Sequence, residues 1–144
     1  MEGVDCAHCD GRVVRKTERV AVVQAASVVF DCSRTLAKVR KLASEAAAND
    51  AGLVLFPEAF ISGYPRGISF GTVIGDRTPE GRDQFRMYWE SSVDIPGPVV
   101  DELAALAAEL NIHMVVGVVE RDLALSIARL CFSRREATWE STAR

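Results

Sequence analysis

No stretch of this sequence runs apolar for the roughly 20 residues that a membrane-spanning helix needs, so membrane insertion is not expected. Nor is there a basic excess. Seventeen Lys and Arg stand against 20 Asp and Glu, a net charge of −3, which leaves no electrostatic footprint for nucleic acid. The opening Met1-Glu2-Gly3-Val4-Asp5-Cys6 is acidic and has no apolar core behind it, so a secretory signal is not expected. Cytoplasmic localisation is the resulting expectation. Cysteine is scarce: Cys6, Cys9, Cys32 and Cys131 are the only four, and without a secretory signal they read as free thiols rather than a disulfide framework. Cys6-Ala7-His8-Cys9 forms a CxxC, but a structural zinc site needs four ligands and no second pair follows at suitable spacing. A redox CxxC would follow a strand and open a helix, whereas this one lies in a polar, glycine-containing leader. No metal and no cofactor is expected.

What is present is ordinary globular composition, with about half the residues hydrophobic and about a quarter charged. Residues 1–17 read as a disordered leader. "RVAVVQA" (19–25) is short, β-branched and nearly continuous in apolar character, as a buried strand is. Asp31 or Ser33 then offers an N-cap for a helix over 33–49, a stretch rich in Ala, Leu, Lys, Arg and Glu. Leu36, Val39, Ala43 and Ala46 share one face of that helix. Asn49-Asp50-Ala51-Gly52 is its stop, and "LVLF" (53–56) a second buried strand. Further on, Gly97-Pro98 opens a helix whose face is Val99, Leu103, Leu106 and Leu110, and "IHMVVGVV" (112–119) is a third strand. This alternation predicts an α/β fold with a largely parallel sheet.

Between the second strand and the last helix lies a long insertion, Ile61 to Pro96, with five glycines and the aromatics Phe85, Tyr88 and Trp89. Thr78-Pro79 is expected to start a short helix that gathers those aromatics on one side. Loops of this length inside a compact domain are often functional. At its entry, in "LVLFPEAFISGYP" (53–65), a carboxylate follows four apolar residues. Glu58 falls just beyond the carboxyl end of a parallel strand, the edge where ligands bind in open α/β sheets. Flanked by Phe56, Phe60 and Ile61, it is expected to be partly desolvated, which raises a carboxylate's pKa and suits a general base near neutral pH. The alternative is a structural glutamate that holds the following loop through backbone N–H groups. Gly67-Ile68-Ser69-Phe70-Gly71 matches the GxSxG of serine hydrolases, but a nucleophile elbow needs a strand just before the serine and a helix just after. Neither is expected around Ser69. Gly67, Gly71 and Gly75 likewise lack the spacing of a phosphate-binding loop.

"VAVVQAA", "LVLFPEAFISGYPRG", "DIPGP" and "MVVGVVERD" together resemble the nitrilase family of carbon–nitrogen hydrolases, nearest to the plant-type nitrilases, over about residues 19–122. The resemblance implies the N-terminal portion of a nitrilase-like α-β-β-α sandwich, incomplete in this chain, and an enzyme that converts a nitrile to a carboxylic acid and ammonia. It implies a Glu-Lys-Cys triad in which Glu58 is the general base, and it places Tyr64 in the segment that shapes the substrate pocket. The implied partners are a small-molecule nitrile and further nitrilase subunits in a homo- or hetero-oligomer, with no nucleic acid and no cofactor.

After Glu120-Arg121-Asp122 the chain leaves the family pattern and reads "LALSIARLCFSRREATWESTAR". This tail contains no lysine, and its only cysteine, Cys131, lies in "RLCFSRR" rather than in a CWEN-like nucleophile block. Three segments are therefore expected: a leader (1–17), a partial carbon–nitrogen hydrolase domain (18–122) and a divergent tail (123–144), such as a splice variant or frameshift would leave. Leu123, Ile127 and Leu130 suggest a short amphipathic helix in the tail. Such a chain would lack the triad Lys and Cys and be inactive alone. A non-catalytic subunit that joins full-length nitrilases is the competing reading. An incomplete sheet should also expose an apolar face or an unpaired edge.

Overall fold

The computed structural model of the chain describes residues 18–64, 67, 72–73, 76–121, 125–132 and 139–143. The leader expected over 1–17, with Cys6 and Cys9, lies outside them, as do Ser69 and Gly71. In chain order the elements are β1 (Arg19–Val22), α1 (Cys32–Ala48), β2 (Ala51–Leu55), β3 (Thr72–Val73), β4 (Asp76–Arg77), α2 (Pro79–Glu90), α3 (Pro98–Glu109), β5 (His113–Arg121), β6 (Leu125–Phe132) and β7 (Trp139–Ala143). Five strands form one sheet in the order β1-β2-β5-β6-β7, and β3-β4 is a separate small hairpin.

Local chemistry accounts for the helix starts. The Asp31 carboxylate accepts from the Arg34 backbone N–H at 2.9 Å, which caps α1 and, with the Ser33 hydroxyl, holds the Asp31 carboxyl below its ordinary pKa. Thr78 caps α2 through the Gly81 N–H at 3.1 Å, with Pro79 in the first turn. Val39 and Ala43 of α1, with Val100, Leu103, Leu106 and Ala107 of α3, are buried in one core. The sheet contributes Val54, Met114, Val116, Val118 and Phe132 to it. Both helices therefore cover the same face. The alternate residues of the first two strands point the other way, and Val20, Val22 and Leu55 are 52%, 65% and 40% exposed. The expected apolar face is open.

The three strands expected from the sequence, β1, β2 and β5, are parallel as expected, and β6 and β7 extend the sheet antiparallel. One expectation needs correction. Of the helix expected from Leu123, Ile127 and Leu130, Ile127 and Leu130 lie instead in strand β6, and Leu123 lies outside the described residues. The eight residues of β6 pair with β5 from Met114↔Phe132 to Arg121↔Leu125. Pairing satisfies the second edge of β5, whose backbone groups would otherwise lack partners. Leu125, Ile127 and Cys131 fall at a strand's period of two, just as Leu123, Ile127 and Leu130 fall at helical spacing.

β5 organises what lies around it. Its first residues pair with β2 (Leu53↔His113 to Leu55↔Val115). On the same edge the Val119 N–H then donates to the Ile61 carbonyl at 3.2 Å, and Val93 bridges Val119 and Arg121 at 2.8 Å on each side. The end of this ladder is tied by Arg121, which forks onto Asp94 at 2.8 and 2.6 Å and donates to the Trp89 carbonyl at 3.3 Å. The Arg121 hydrogen bond, with its charge, holds the Asp94 carboxyl below its ordinary pKa. A carboxylate with a lowered folded-state pKa contributes stability that is present above the unfolded value and is lost as pH falls through the folded one. Asp94→Asn should therefore lower the melting temperature at neutral pH. The difference from the parent should vanish as pH drops below the usual carboxylate range, which thermal melts across an acid series would read out.

Candidate active site

The parallel strand β2 ends at Leu55, but the chain stays on β5. The Phe56 N–H donates to the Val115 carbonyl at 2.9 Å, and the Ile61 N–H donates to the Gly117 carbonyl at 3.1 Å. Between these two anchors the segment Pro57-Glu58-Ala59-Phe60 arches over one residue of β5. The arch includes Ala59 at φ +46°, in the left-handed region. Phe56 and Phe60, with ring centroids 5.5 Å apart, and Ile61 are all buried. Burial of these three side chains fixes the arch on both sides of Glu58.

The residue beneath the arch is Gly117. A Cβ there would lie 2.5 Å from the Pro57 carbonyl oxygen, 2.6 Å from the Ala59 nitrogen and 2.7 Å from the Glu58 Cα. Real Cβ atoms do not come so close, so the arch can rest on β5 only because position 117 has no side chain. Sequence reasoning did not single out this residue. The available signal was a glycine inside a strongly apolar strand, which often marks close backbone approach.

Glu58 itself is exposed. This corrects the expectation of a desolvated carboxylate: its apolar sequence neighbours turn into the core and leave it at the rim. It borders an open cleft of about 440 Å³ on the uncovered face of the sheet, with Val22, Leu55, Pro57 and Val115 among the walls. No hydrogen bond or ion pair joins the Glu58 carboxylate to another described residue.

Past the arch, Ser62 is fully buried at φ +81°, donates to the Ser91 carbonyl and accepts from the Phe30 N–H at 3.1 Å. It ties the arch to the end of α2. Tyr64 follows, 62% exposed, and does not line the cleft. Burial, and then the Tyr64 phenol, push the Tyr88 hydroxyl above its ordinary pKa. Of the aromatics on α2, Tyr88 packs on Phe30, while Phe85 and Trp89 stack at a centroid distance of 6.4 Å. Cys131 lies in β6, in register with Val115. Cys32, at the first residue of α1, is half-buried; burial, then Glu102 and Asp31, push its thiol up, which disfavours the reactive thiolate. Among the described residues no group of three His, Cys, Asp or Glu is placed to hold a metal ion, and no helix is long and apolar enough to cross a membrane.

The family model described as carbon-nitrogen hydrolase matches residues 19–136. Similar proteins include the bifunctional nitrilase/nitrile hydratase NIT4A of Nicotiana tabacum, 52% identical over 106 residues that make up 74% of this chain and 30% of that protein. Nitrilase 3 of Arabidopsis thaliana is 51% identical over 106 residues, 74% of this chain and 31% of its own. The chain thus spans about 30% of the length of these curated relatives. Among solved structures, a CN-hydrolase superfamily protein from Xanthomonas campestris superposes with a TM-score of 0.62 at 20% identity, over 88% of this chain and 40% of that one. An amidase from Nesterenkonia sp. gives 0.60 at 18%, over 88% and 42%. These two share the fold.

Because the Glu58 carboxylate has no described partner, Glu58→Gln should leave stability within about 0.5 kcal/mol of the parent in thermal or urea denaturation. A larger loss would give Glu58 a structural role.

Proposed function

The chain belongs to the carbon-nitrogen hydrolase family, and from that premise we propose that Glu58 is the general base of a nitrile-hydrolysing site whose nucleophile this chain does not supply. The observation that carries the reading is the place of Glu58. It stands beyond the carboxyl end of a parallel strand, at the rim of an open apolar cleft, on an arch anchored at both ends by backbone hydrogen bonds.

In the proposed chemistry Glu58 takes the proton of a cysteine thiol as its sulfur bonds to the nitrile carbon, and the proton passes to the nitrile nitrogen. The product of that step is a covalent thioimidate. A lysine stabilises the charge that develops at the tetrahedral stages. Water, deprotonated by Glu58, adds to the thioimidate, and ammonia leaves with the proton that Glu58 returns. A second water then cleaves the thioester in the same way. One nitrile and two waters give one carboxylic acid and one ammonia, with no redox change. An exposed Glu58 suits this role only once the cleft is covered, because exclusion of water strengthens the interactions inside a site. Tyr64 does not line the cleft as it stands, and is proposed to help shape the substrate pocket only once the cleft is covered.

The purified 144-residue chain should release no ammonia from a panel of aliphatic and aromatic nitriles beyond what Glu58→Gln releases. Release that Glu58→Gln abolishes would overturn the absence of a nucleophile and make Cys131 the first residue to replace.

The open face favours a second role, that of a non-catalytic subunit joining full-length nitrilases. Val20 and Val22 of the edge strand β1, with Leu55 of β2, form an apolar surface. The chain should co-elute with a co-expressed full-length plant-type nitrilase, and Val20→Lys with Val22→Lys should abolish co-elution. A strictly monomeric parent chain would refute this role.

A further inference from the structure

The arch that carries Glu58 is held by three kinds of contact, and one of them is an absence. At its entry Phe56 is bonded to Val115, and at its exit Ile61 is bonded to Gly117 and Val119. The buried Phe56, Phe60 and Ile61 side chains lock both ends into the core. Between them the backbone of Pro57, Glu58 and Ala59 lies directly on the one residue of β5 that has no Cβ. Val115 and Val119, two residues to either side of position 117, point to the same face of the strand. A side chain at 117 would thus project straight into the arch.

We propose that Gly117 is a positioning residue for Glu58: its missing side chain sets the height and angle at which the carboxylate stands over the end of the sheet. This inference rests on the reading of Glu58 as the general base. A methyl group at 117 needs ordinary contact distances of about 3.5 Å or more, so the backbone above it must rise by about 1 Å. The hydrogen bonds at Phe56 and Ile61 and the buried rings resist movement at the ends. The rise is therefore taken up in the middle of the arch, at Glu58. A misplacement of about 1 Å can cost a catalytic group about 100-fold in rate, so the effect exceeds what a lone surface methyl would cause.

The test compares Gly117→Ala with Val116→Ala in the full 144-residue chain carrying ¹³C-labelled glutamate. Val116 is fully buried on the opposite face of the same strand, so its truncation weakens the core without touching the arch. In Gly117→Ala the Glu58 ¹³Cδ resonance and the Glu58 and Ala59 amide resonances should move by more than a linewidth. In Val116→Ala the melting temperature should fall while those resonances stay in place. Unchanged Glu58 resonances in Gly117→Ala, or equal movement in both variants, overturn the proposal. If Gly117→Ala does not fold, the parent chain still decides: cross-peaks between the Gly117 α-protons and the Glu58 α-proton are required, and their absence overturns it.

The base reading fails separately. If hydrolysis by any assembly containing this chain is indifferent to Glu58→Gln while Gly117→Ala still moves the Glu58 resonances, Gly117 shapes the arch but positions no base.

Discussion

The backbone of Pro57-Glu58-Ala59 rests on Gly117, and much of the molecule is arranged around that contact. β5 has two edges to satisfy. One is taken entirely by β6, and the other is shared in turn by β2, Ile61 and Val93. A chain that leaves a strand and rejoins the same edge a few residues later must pass over its partner, and it passes closely only where the partner has no side chain. Gly117 supplies that gap, and a carboxylate is thereby held at the end of a parallel strand by a buried ladder rather than by a free loop.

The forces on the two sides of the arch differ in kind. Beneath the sheet, α1 and α3 bury a continuous apolar core that includes Val54, Met114, Val116 and Val118. Above it, Val20, Val22 and Leu55 meet solvent. A sheet with apolar side chains on both faces has one hydrophobic surface too many for a single helical layer. The polar ties gather at the far end, where Arg121 binds Asp94 and Ser62 binds Ser91, and they fasten α2 and its following segment to β5. These ties set the geometry of the loop segments, whereas most of the stability comes from the apolar core below.

Function follows from this asymmetry. Glu58 opens onto the uncovered face, so the surface that would receive a covering layer and the cleft that would receive a substrate are adjacent. Whatever covers the face also sets how much water reaches the carboxylate. Assembly and chemistry would then share one surface, which links the two proposed roles of the chain.

Much of the fold was legible in the residues. The period of α1, with Leu36, Val39, Ala43 and Ala46 on one face, the Asp31 and Thr78 caps, the proline at the start of α3 and the β-branched runs of β1, β2 and β5 all report local preferences that the tertiary structure keeps. The family was legible too, because FPEAF and GYPRG are local strings. What remained hidden depends on contacts between residues distant in sequence. Leu125–Phe132 carries a pattern open to helix or strand, and only the vacant edge of β5 decides for strand. The apolar neighbours of Glu58 suggested burial, yet whether they screen the carboxylate or turn from it depends on the arch. That arch exists because position 117, nearly sixty residues away in sequence, can be approached by backbone. Periodicity and short-range chemistry were enough for α1, α2 and α3, for the parallel strands β1, β2 and β5, and for the family. Where Glu58 stands was left to contacts across the fold, because close packing of two backbones is a property of neither segment alone.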